Sequence, residues 1–408
     1  MRRLDVFLDW GNEKLRVGTL AERDRRILLE YDVAFLNNPL PLSPFKLPLT
    51  DGLHEDEGLV FDGLFGVFHD SLPDGWGLLL MDRQLRKWGM VRDQISPLDR
   101  LAYIGNRGMG ALVYEPARDM DEIGSLGAIE LDDLAGQATR ILEGSLEDVL
   151  PQLIIAGGSP QGARPKVIVG VREEDDHLIS GATDLPEGYR HYMIKFGAIE
   201  DGPDIGAVEA AYALMARQAG IVMPHTRLFE TPDGSRYFGV ERFDRNGGRH
   251  HIHTLSGLLH ASHRHPSVEY DALLRATMAL TRDHRQLIAA FRHMVFNVLA
   301  HNRDDHTKNF SFIMARDGTW TRTPAYDLVF SYGMGGWHTM AVAGEAQRPR
   351  VKHLLDAGAA AGVGREEGHS VIQEVTAAVA DWPRFANEMG VSHDRTRAIG
   401  QELARLRA

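Results

Sequence analysis

The chain contains no cysteine among its 408 residues. This absence excludes disulfide bonds, thiolate metal sites and a cysteine nucleophile. The sequence also lacks an uninterrupted apolar run long enough to span a bilayer, so we expect no contact with a membrane. A composition without cysteine is compatible with a reducing cytoplasm, and we expect the protein to act there.

The chain also has fewer basic than acidic residues. Lys and Arg number 45 against 57 Asp and Glu, which gives a formal net charge of −12 with His neutral. A chain with this balance is not expected to bind nucleic acid through its overall field. Contact with DNA would depend on a local basic patch or on a basic partner.

The distribution of apolar residues divides the chain into three segments. Alternation near the start followed by helical spacing predicts an N-terminal α/β subdomain over residues 1–145. Gly-rich turns and β-branched runs predict a β-rich lobe over 146–245, with one helix over Ile205–Ala219 that Gly220 ends. Residues 246–408 have mostly helical spacing. We therefore predict an α+β fold with two lobes and a cleft between them.

Histidine is abundant, with 19 residues, and several lie in two short runs at 250–253 and 260–265. Two His separated by one residue suit a strand. A metal site needs further ligands, however, and the sequence assigns none nearby. We expect both runs to be solvated loops.

The most informative segment is the polar run His301–Phe310, which a predicted hairpin and Asp327 follow. An Asp with an Asn five positions later, then a hairpin and a second Asp, is the order of a protein-kinase catalytic loop. Asp304 would then accept or orient the proton of the substrate hydroxyl, and Asn309 and Asp327 would bind Mg²⁺. Lys308 is either a contact for the γ-phosphate of ATP or a solvated charge. A polar surface loop is the alternative for the whole segment.

Phosphoryl transfer also needs a loop that covers the phosphates. The run 156–166 contains three Gly, which allow positive φ and close approach of backbone N–H groups to a phosphate. The residues that we assign to ATP binding there are Gly158, Ser159, Gly162 and Lys166. An ordinary Gly turn between two elements is the alternative.

A strand lysine and an adenine-binding connector complete the predicted site. Lys195 lies in an apolar run and would contact the α- and β-phosphates, with Glu209 of the next helix as its partner. The alternative is an edge-strand lysine with its ammonium in water. Glu241 and Phe243 follow the last strand of the β-rich lobe, and we assign them to the adenine edge.

These motifs resemble the HipA family of serine/threonine kinases, the toxins of bacterial toxin–antitoxin modules. The resemblance implies a bilobal protein-kinase-like core behind the N-terminal subdomain, with ATP and Mg²⁺ as cofactors. The matching runs are Ser159–Lys166, Ile194–Lys195, Val240–Arg245, Asn302–Phe312, Thr323–Leu328, Leu72–Gly75, Gly110–Leu112 and Glu115–Pro116. Asp304 and Asp305 are adjacent, and the five-residue spacing to Asn309 selects Asp304 as the catalytic base.

The resemblance also implies partners and regulation. The expected partner is a small helix-turn-helix antitoxin, HipB-like, through which the toxin would reach operator DNA only indirectly. The expected substrate is a protein of translation, which in the best-known members is an aminoacyl-tRNA synthetase phosphorylated on a serine. Ser159 matches the family's autophosphorylated serine, and a phosphate of about −2 charge there should repel ATP.

Two other functions remain open. The first is a non-catalytic, kinase-shaped scaffold that binds an antitoxin and acts as a DNA co-repressor. The second is a metal-dependent phosphoester hydrolase, in which the run 304–306 and histidines of 250–265 would converge on metal ions.

Overall fold

The fold is α+β and is built from three antiparallel sheets with helices around them. Each sheet lies inside one of the three segments predicted from the sequence. No helix among the described residues combines the length and the apolar character needed to cross a bilayer. The computed structural model describes residues 2–58, 60–117, 130–143, 153, 162, 164–181, 184–198 and 201–405.

The N-terminal domain is organised around a five-stranded sheet in the order β4-β3-β2-β1-β5. Leu4, Val6 and Leu8 of β1 are buried while the residues between them are half-buried, so the predicted alternation and small antiparallel sheet are confirmed. The elements are β1 (Arg2–Asp9), β2 (Lys14–Arg23), β3 (Arg26–Tyr31), α1 (Val33–Asn37), β4 (Leu53–Glu55), α2 (Gly66–His69), α3 (Gly75–Lys87), α4 (Pro97–Ile104), β5 (Leu112–Glu115) and α5 (Leu131–Leu142).

The small lobe is a second five-stranded sheet in the order β7-β6-β8-β10-β9. Its elements are β6 (Lys166–Arg172), β7 (Leu178–Ser180), β8 (Tyr189–Lys195), α6 (Ile205–Gln218), β9 (Thr226–Glu230) and β10 (Arg236–Glu241). The predicted helix is confirmed, and Gly220 after it has a φ of +77°, a conformation that glycine adopts without strain. Gly206 lets α6 approach β10 closely, because a Cβ there would overlap the carbonyl of Arg236.

The large lobe combines a small sheet, β11-β12-β13, with a set of helices. Its elements are β11 (His251–Thr254), α7 (Leu255–Leu259), α8 (Tyr270–Thr281), α9 (His284–Leu299), β12 (Ser311–Met314), β13 (Trp320–Arg322), α10 (Val351–Ala361), α11 (Arg365–Ala380), α12 (Trp382–Glu388) and α13 (His393–Arg405). The antiparallel pairing of β12 with β13 confirms the hairpin predicted after the catalytic loop. Helix α9 contains ten buried residues and packs against α8, α10 and α11.

The prediction of solvated loops is wrong for the first histidine run. His251 and His253 lie on β11 and are buried. Alternation places both side chains on one face of the strand, and the N-terminal domain covers that face. His251 Nε2 donates to the carbonyl of Leu42 at 2.9 Å, and His253 bonds to Ser43 and Asp70. The covering segment is far away in sequence, so the run itself gave no sign of burial.

The connector between the lobes is tied to the N-terminal domain. Asp244 is fully buried and accepts hydrogen bonds from Arg242 at 2.6 Å and from Arg245 at 2.7 Å. The Gly110 N–H donates to the same carboxylate at 2.9 Å. Because burial of a charge is costly unless it is paired, this cluster fixes the connector against the N-terminal domain.

Candidate active site

Lys195 lies at the centre of the cleft between the lobes. Its ammonium contacts both Glu209 of α6 and Asp327, which follows the β12–β13 hairpin. The partner predicted from the sequence is therefore in place, and the alternative of an ammonium in water does not hold. A single cation thus joins a strand and a helix of the small lobe to the large lobe.

The ion pairs determine the protonation of this cluster. Burial would lower the pKa of Lys195, but the charges of Asp327 and Glu209 outweigh it and raise that pKa. Burial also opposes ionisation of Asp327, yet Lys195 and Lys166 hold the pKa of Asp327 below its usual range. The cleft therefore presents a charged ammonium and a charged carboxylate at neutral pH, as binding of a metal–phosphate group requires.

Lys166 is the second cation of the cleft. It stands opposite Lys195 on neighbouring strands, so both side chains leave the same face of the sheet. Gly162 has a φ of +105°, and a Cβ there would overlap the Lys166 ammonium. The positive φ expected of this glycine is therefore present, its assignment to phosphate binding stays a prediction, and Gly158 and Ser159 lie outside the described residues.

The two adjacent acids of the catalytic loop have different environments. The Asp304 side chain is 61% exposed, and the Asp305 side chain is 0% exposed. Asp305 accepts hydrogen bonds from Tyr270 at 2.7 Å, from His338 at 2.8 Å and from the Thr339 N–H at 2.7 Å. Asp305 thus anchors the loop, and Asp304 is the acid whose carboxylate is exposed to solvent.

Asn309 and Asp327 have the donor groups that Mg²⁺ takes. The Asn309 side-chain nitrogen donates to the backbone carbonyl of Asp304 at 2.7 Å, which leaves its amide oxygen for another ligand. Asp327 has a φ of +54°, an uncommon conformation for a residue other than glycine. Such backbone strain is concentrated at functional sites. The oxygen ligands of these two residues fit a hard cation that completes its shell with phosphate and water.

Lys308 is neither at the cleft centre nor in water. Its side chain is 1% exposed, and its ammonium donates to Asp74 at 3.0 Å. Asp74 belongs to the N-terminal domain and precedes α3. Asp74 lies in the run Leu72–Gly75, which is one of the runs that carry the family resemblance, but the sequence predicted no contact between this run and the catalytic loop. No spacing rule connects residues so far apart.

The apolar part of the cleft lies beside the connector. Its lining includes Met193, Val240, Phe243 and Leu328. The ring of Phe243 packs 5.8 Å from that of Tyr326. The Glu241 N–H donates to the carbonyl of His225 at 2.8 Å, so this N–H is already used within the small lobe. Both connector residues assigned from the sequence line this pocket.

Ser43, His253 and Asp70 are hydrogen-bonded to one another in the order of a hydrolase Ser-His-Asp triad. Ser43 donates to His253 Nε2 at 2.9 Å, and His253 Nδ1 donates to Asp70 at 2.6 Å. A nucleophile needs access to its substrate, and Ser43 is only 1% exposed. Asp70 also accepts from the Thr254 N–H at 2.7 Å. The group therefore joins the N-terminal domain to the large lobe and has no catalytic access.

Comparison with known proteins agrees with this geometry. Residues 4–115 match the HipA N-terminal domain, and residues 158–383 match the HipA-like C-terminal domain. The solved HipA–HipB–operator DNA complex of the Shewanella oneidensis MR-1 toxin–antitoxin system is similar over 99% of this chain and 95% of that chain, with a TM-score of 0.72 and 20% identity. That likeness shows a shared fold.

A second solved structure is the proinflammatory kinase CtkA of Helicobacter pylori. It is similar over 54% of this chain and 92% of that chain, with 12% identity and a TM-score of 0.35. The C-terminal family match alone spans more than half of the 408 residues. The chain belongs to the HipA family.

Proposed function

We propose that this protein is a serine/threonine protein kinase and the toxin of a toxin–antitoxin module, acting in the cytoplasm. The observation that carries the proposal is the contact of one ammonium, on Lys195, with both Glu209 and Asp327. A strand lysine paired with a helix glutamate and a metal-binding aspartate is the arrangement that kinases need for phosphoryl transfer.

The chemistry follows from the positions of the side chains. Bound ATP with Mg²⁺ would supply the transferable γ-phosphoryl group and neutralise its charge. The hydroxyl oxygen of a substrate serine forms a bond to the γ-phosphorus as the bond from that phosphorus to ADP breaks. Asp304 would accept the hydroxyl proton, and Asn309 and Asp327 would hold the cation. Lys195 and Lys166 would orient the phosphates from the sheet.

The partners in this proposal come from the family. The Shewanella oneidensis structure contains HipA, HipB and operator DNA, and we propose a HipB-like helix-turn-helix antitoxin for this chain. A net charge of −12 fits contact with DNA through such a partner. The proposed substrate is a translation protein, with an aminoacyl-tRNA synthetase first among the candidates, and Ser159 is the proposed site of autophosphorylation.

The hydrolase alternative gains no support from the histidines. Across the described ranges, no three His, Asp or Glu side chains converge as a metal centre would require. His251 and His253 make the buried hydrogen bonds given above. The scaffold alternative would leave the ion-paired Lys195 and the exposed Asp304 without a role.

Purified protein incubated with Mg²⁺ and γ-labelled ATP tests the proposal. We expect label on a peptide that contains Ser159, and none with Asp304→Ala. Phosphoproteomics after brief expression of wild type beside Asp304→Ala then identifies the substrate. An Asp304→Ala variant that is as toxic as wild type, together with an unlabelled Ser159 peptide, would contradict the kinase proposal and favour the scaffold.

A further inference from the structure

The N-terminal domain reaches the candidate active site at the start of helix α3. Asp74 is the residue before this helix, a position where an Asp side chain normally accepts from N–H groups of its own helix. Its carboxylate makes no such bond to α3. It is instead directed toward the kinase core, where it is largely buried.

The carboxylate of Asp74 joins two parts of the predicted ATP site. One oxygen accepts from the Gly162 N–H of the Gly-rich run, and the other accepts from the Lys308 ammonium at 3.0 Å. The neighbouring Trp76 strengthens the first contact. Its backbone N–H donates to the Gly162 carbonyl, and its indole donates to the Lys166 carbonyl, both at 3.1 Å.

Both contacts of Asp74 are made to residues of the predicted ATP site, so their loss would displace groups of that site. Gly162 is the last glycine of the run 156–166 that is predicted to cover the phosphates, and Lys308 immediately precedes Asn309. A buried ammonium needs a partner, and Asp74 supplies the opposite charge to Lys308. Lys308 lies too deep, at 1% exposure, for solvent to replace that partner.

We propose that Asp74 is a positioning residue of the ATP site, supplied by the N-terminal domain, that holds the end of the Gly-rich run and the catalytic loop in register. This inference rests on the proposed kinase function and extends it. The N-terminal domain is then a part of the catalytic apparatus. Its separation from the core would loosen both walls of the site at once.

Two substitutions separate the two contacts. Asp74→Asn keeps an acceptor oxygen but loses the charge that faces Lys308, and we expect kcat to fall about 100-fold, as misplacement of catalytic groups typically causes. Asp74→Ala also loses the bond from Gly162, and we expect the affinity for an Mg²⁺-bound non-hydrolysable ATP analogue to fall about tenfold as well. Addition of Lys308→Met to Asp74→Asn should lower kcat little further, because the two residues act as one unit.

The matched control is Asp82→Asn. Asp82 lies on the same helix and pairs with Arg100 at 3.2 Å inside the N-terminal domain, so its loss should leave kcat and analogue affinity unchanged. Hydrogen exchange adds a readout that needs no catalysis. The Gly162 amide should exchange faster in Asp74→Ala than in wild type or in Asp82→Asn.

The outcomes separate this inference from the kinase proposal. The inference is overturned if the Gly162 amide exchanges at the wild-type rate in Asp74→Ala. It is also overturned if exchange is faster while analogue affinity is unaltered. A third contradicting result is that the losses of kcat caused by Asp74→Asn and Lys308→Met are fully additive. Absence of turnover in wild type overturns the kinase proposal instead. In that case exchange and analogue affinity still decide the role of Asp74.

Discussion

Lys195 of strand β8 forms an ion pair with Glu209 of helix α6, and both side chains are almost completely enclosed. The pair exists because Gly206 brings the helix close to the sheet, one turn before Glu209. Asp327 approaches the same ammonium from the large lobe. The ammonium of Lys195 therefore helps to fix the relative position of the two lobes.

Replacement of Lys195 by Met should impair both stability and activity. It removes the ammonium that contacts both Glu209 and Asp327, and loss of one partner of a buried pair costs about 3–5 kcal/mol. We expect phosphoryl transfer to fall about 100-fold or more, since the phosphates lose one of their two proposed cations. Thermal unfolding and a labelled-ATP assay measure the two effects.

The double variant Lys195→Met, Glu209→Gln separates stability from catalysis. Removal of the unpaired charge on Glu209 should recover part of the lost stability, while activity should stay low. A double variant that transfers phosphate at the wild-type rate would show that Lys195 has no catalytic role.

The adjacent acids Asp304 and Asp305 should respond in opposite ways to substitution by Asn. Asp304→Asn should lower kcat by about 10²- to 10⁴-fold, the typical contribution of a general base, because its exposed carboxylate receives the hydroxyl proton. Its free energy of unfolding should change by less than about 0.5 kcal/mol. Urea unfolding and initial-rate kinetics on both variants test this.

Asp305→Asn should mainly destabilise the protein. Its buried oxygens accept three hydrogen bonds, and an amide cannot accept all of them with the same geometry, so we expect a loss of about 2 kcal/mol. If Asp305→Asn instead abolished activity without loss of stability, the two roles would have to be exchanged.

The two acids illustrate which parts of the candidate site could be predicted from the sequence. The spacing of Asp304, Asn309 and Asp327 predicts an order of functional groups along one short loop and hairpin, and the structure confirms the hairpin between Asn309 and Asp327. The pairing of Lys195 with Glu209 was also predicted, from the kinase arrangement of a strand lysine and a helix glutamate. Each of these relations joins residues that are close in the sequence.

The interactions that the sequence did not reveal connect distant segments. Asp74 meets Lys308 across 234 positions, and Asp70 meets His253 across 183. Nothing in the local pattern of Leu72–Gly75 distinguishes a helix break from a contact with the catalytic loop. The burial of His251 and His253 was missed for the same reason, since the covering residues Leu42 and Ser43 belong to another domain.

The enclosed side chains of His251 and His69 should make the protein sensitive to mild acid. Burial lowers the pKa of His251 to about 4 and that of His69 to about 3. The unfolded chain, with an ordinary pKa of about 6.5 for His, therefore binds more protons at intermediate pH. Stability should fall as the pH drops from about 6.5 to about 4, by about 1 kcal/mol for His251 at pH 5.5.

Urea unfolding at pH 7.5, 6.5 and 5.5 measures this dependence. His251→Gln keeps a donor for the Leu42 carbonyl but does not titrate, so its stability should vary less with pH. The exposed His265 supplies the control, and His265→Gln should follow the wild-type curve. Parallel curves for wild type and His251→Gln would show that His251 does not contribute to the acid sensitivity.

Nucleotide binding should depend on the apolar part of the cleft. Val240 of β10 stands opposite Met193 of β8, and both side chains line the pocket beside the connector. A larger side chain there occupies the space that an adenine ring would take, and overpacking of this kind costs about 1–3 kcal/mol. We expect Val240→Phe to weaken binding of an Mg²⁺-bound, non-hydrolysable ATP analogue about 10- to 100-fold in isothermal titration calorimetry.

The chain offers a control with the same chemical change outside the cleft. Val222 is 71% exposed, so Val222→Phe should leave analogue binding and the free energy of unfolding nearly unchanged. If Val240→Phe bound the analogue as tightly as wild type, the nucleotide would have to occupy a different surface. A normal unfolding curve for Val240→Phe is needed as well, because weak binding by a misfolded variant says nothing about the cleft.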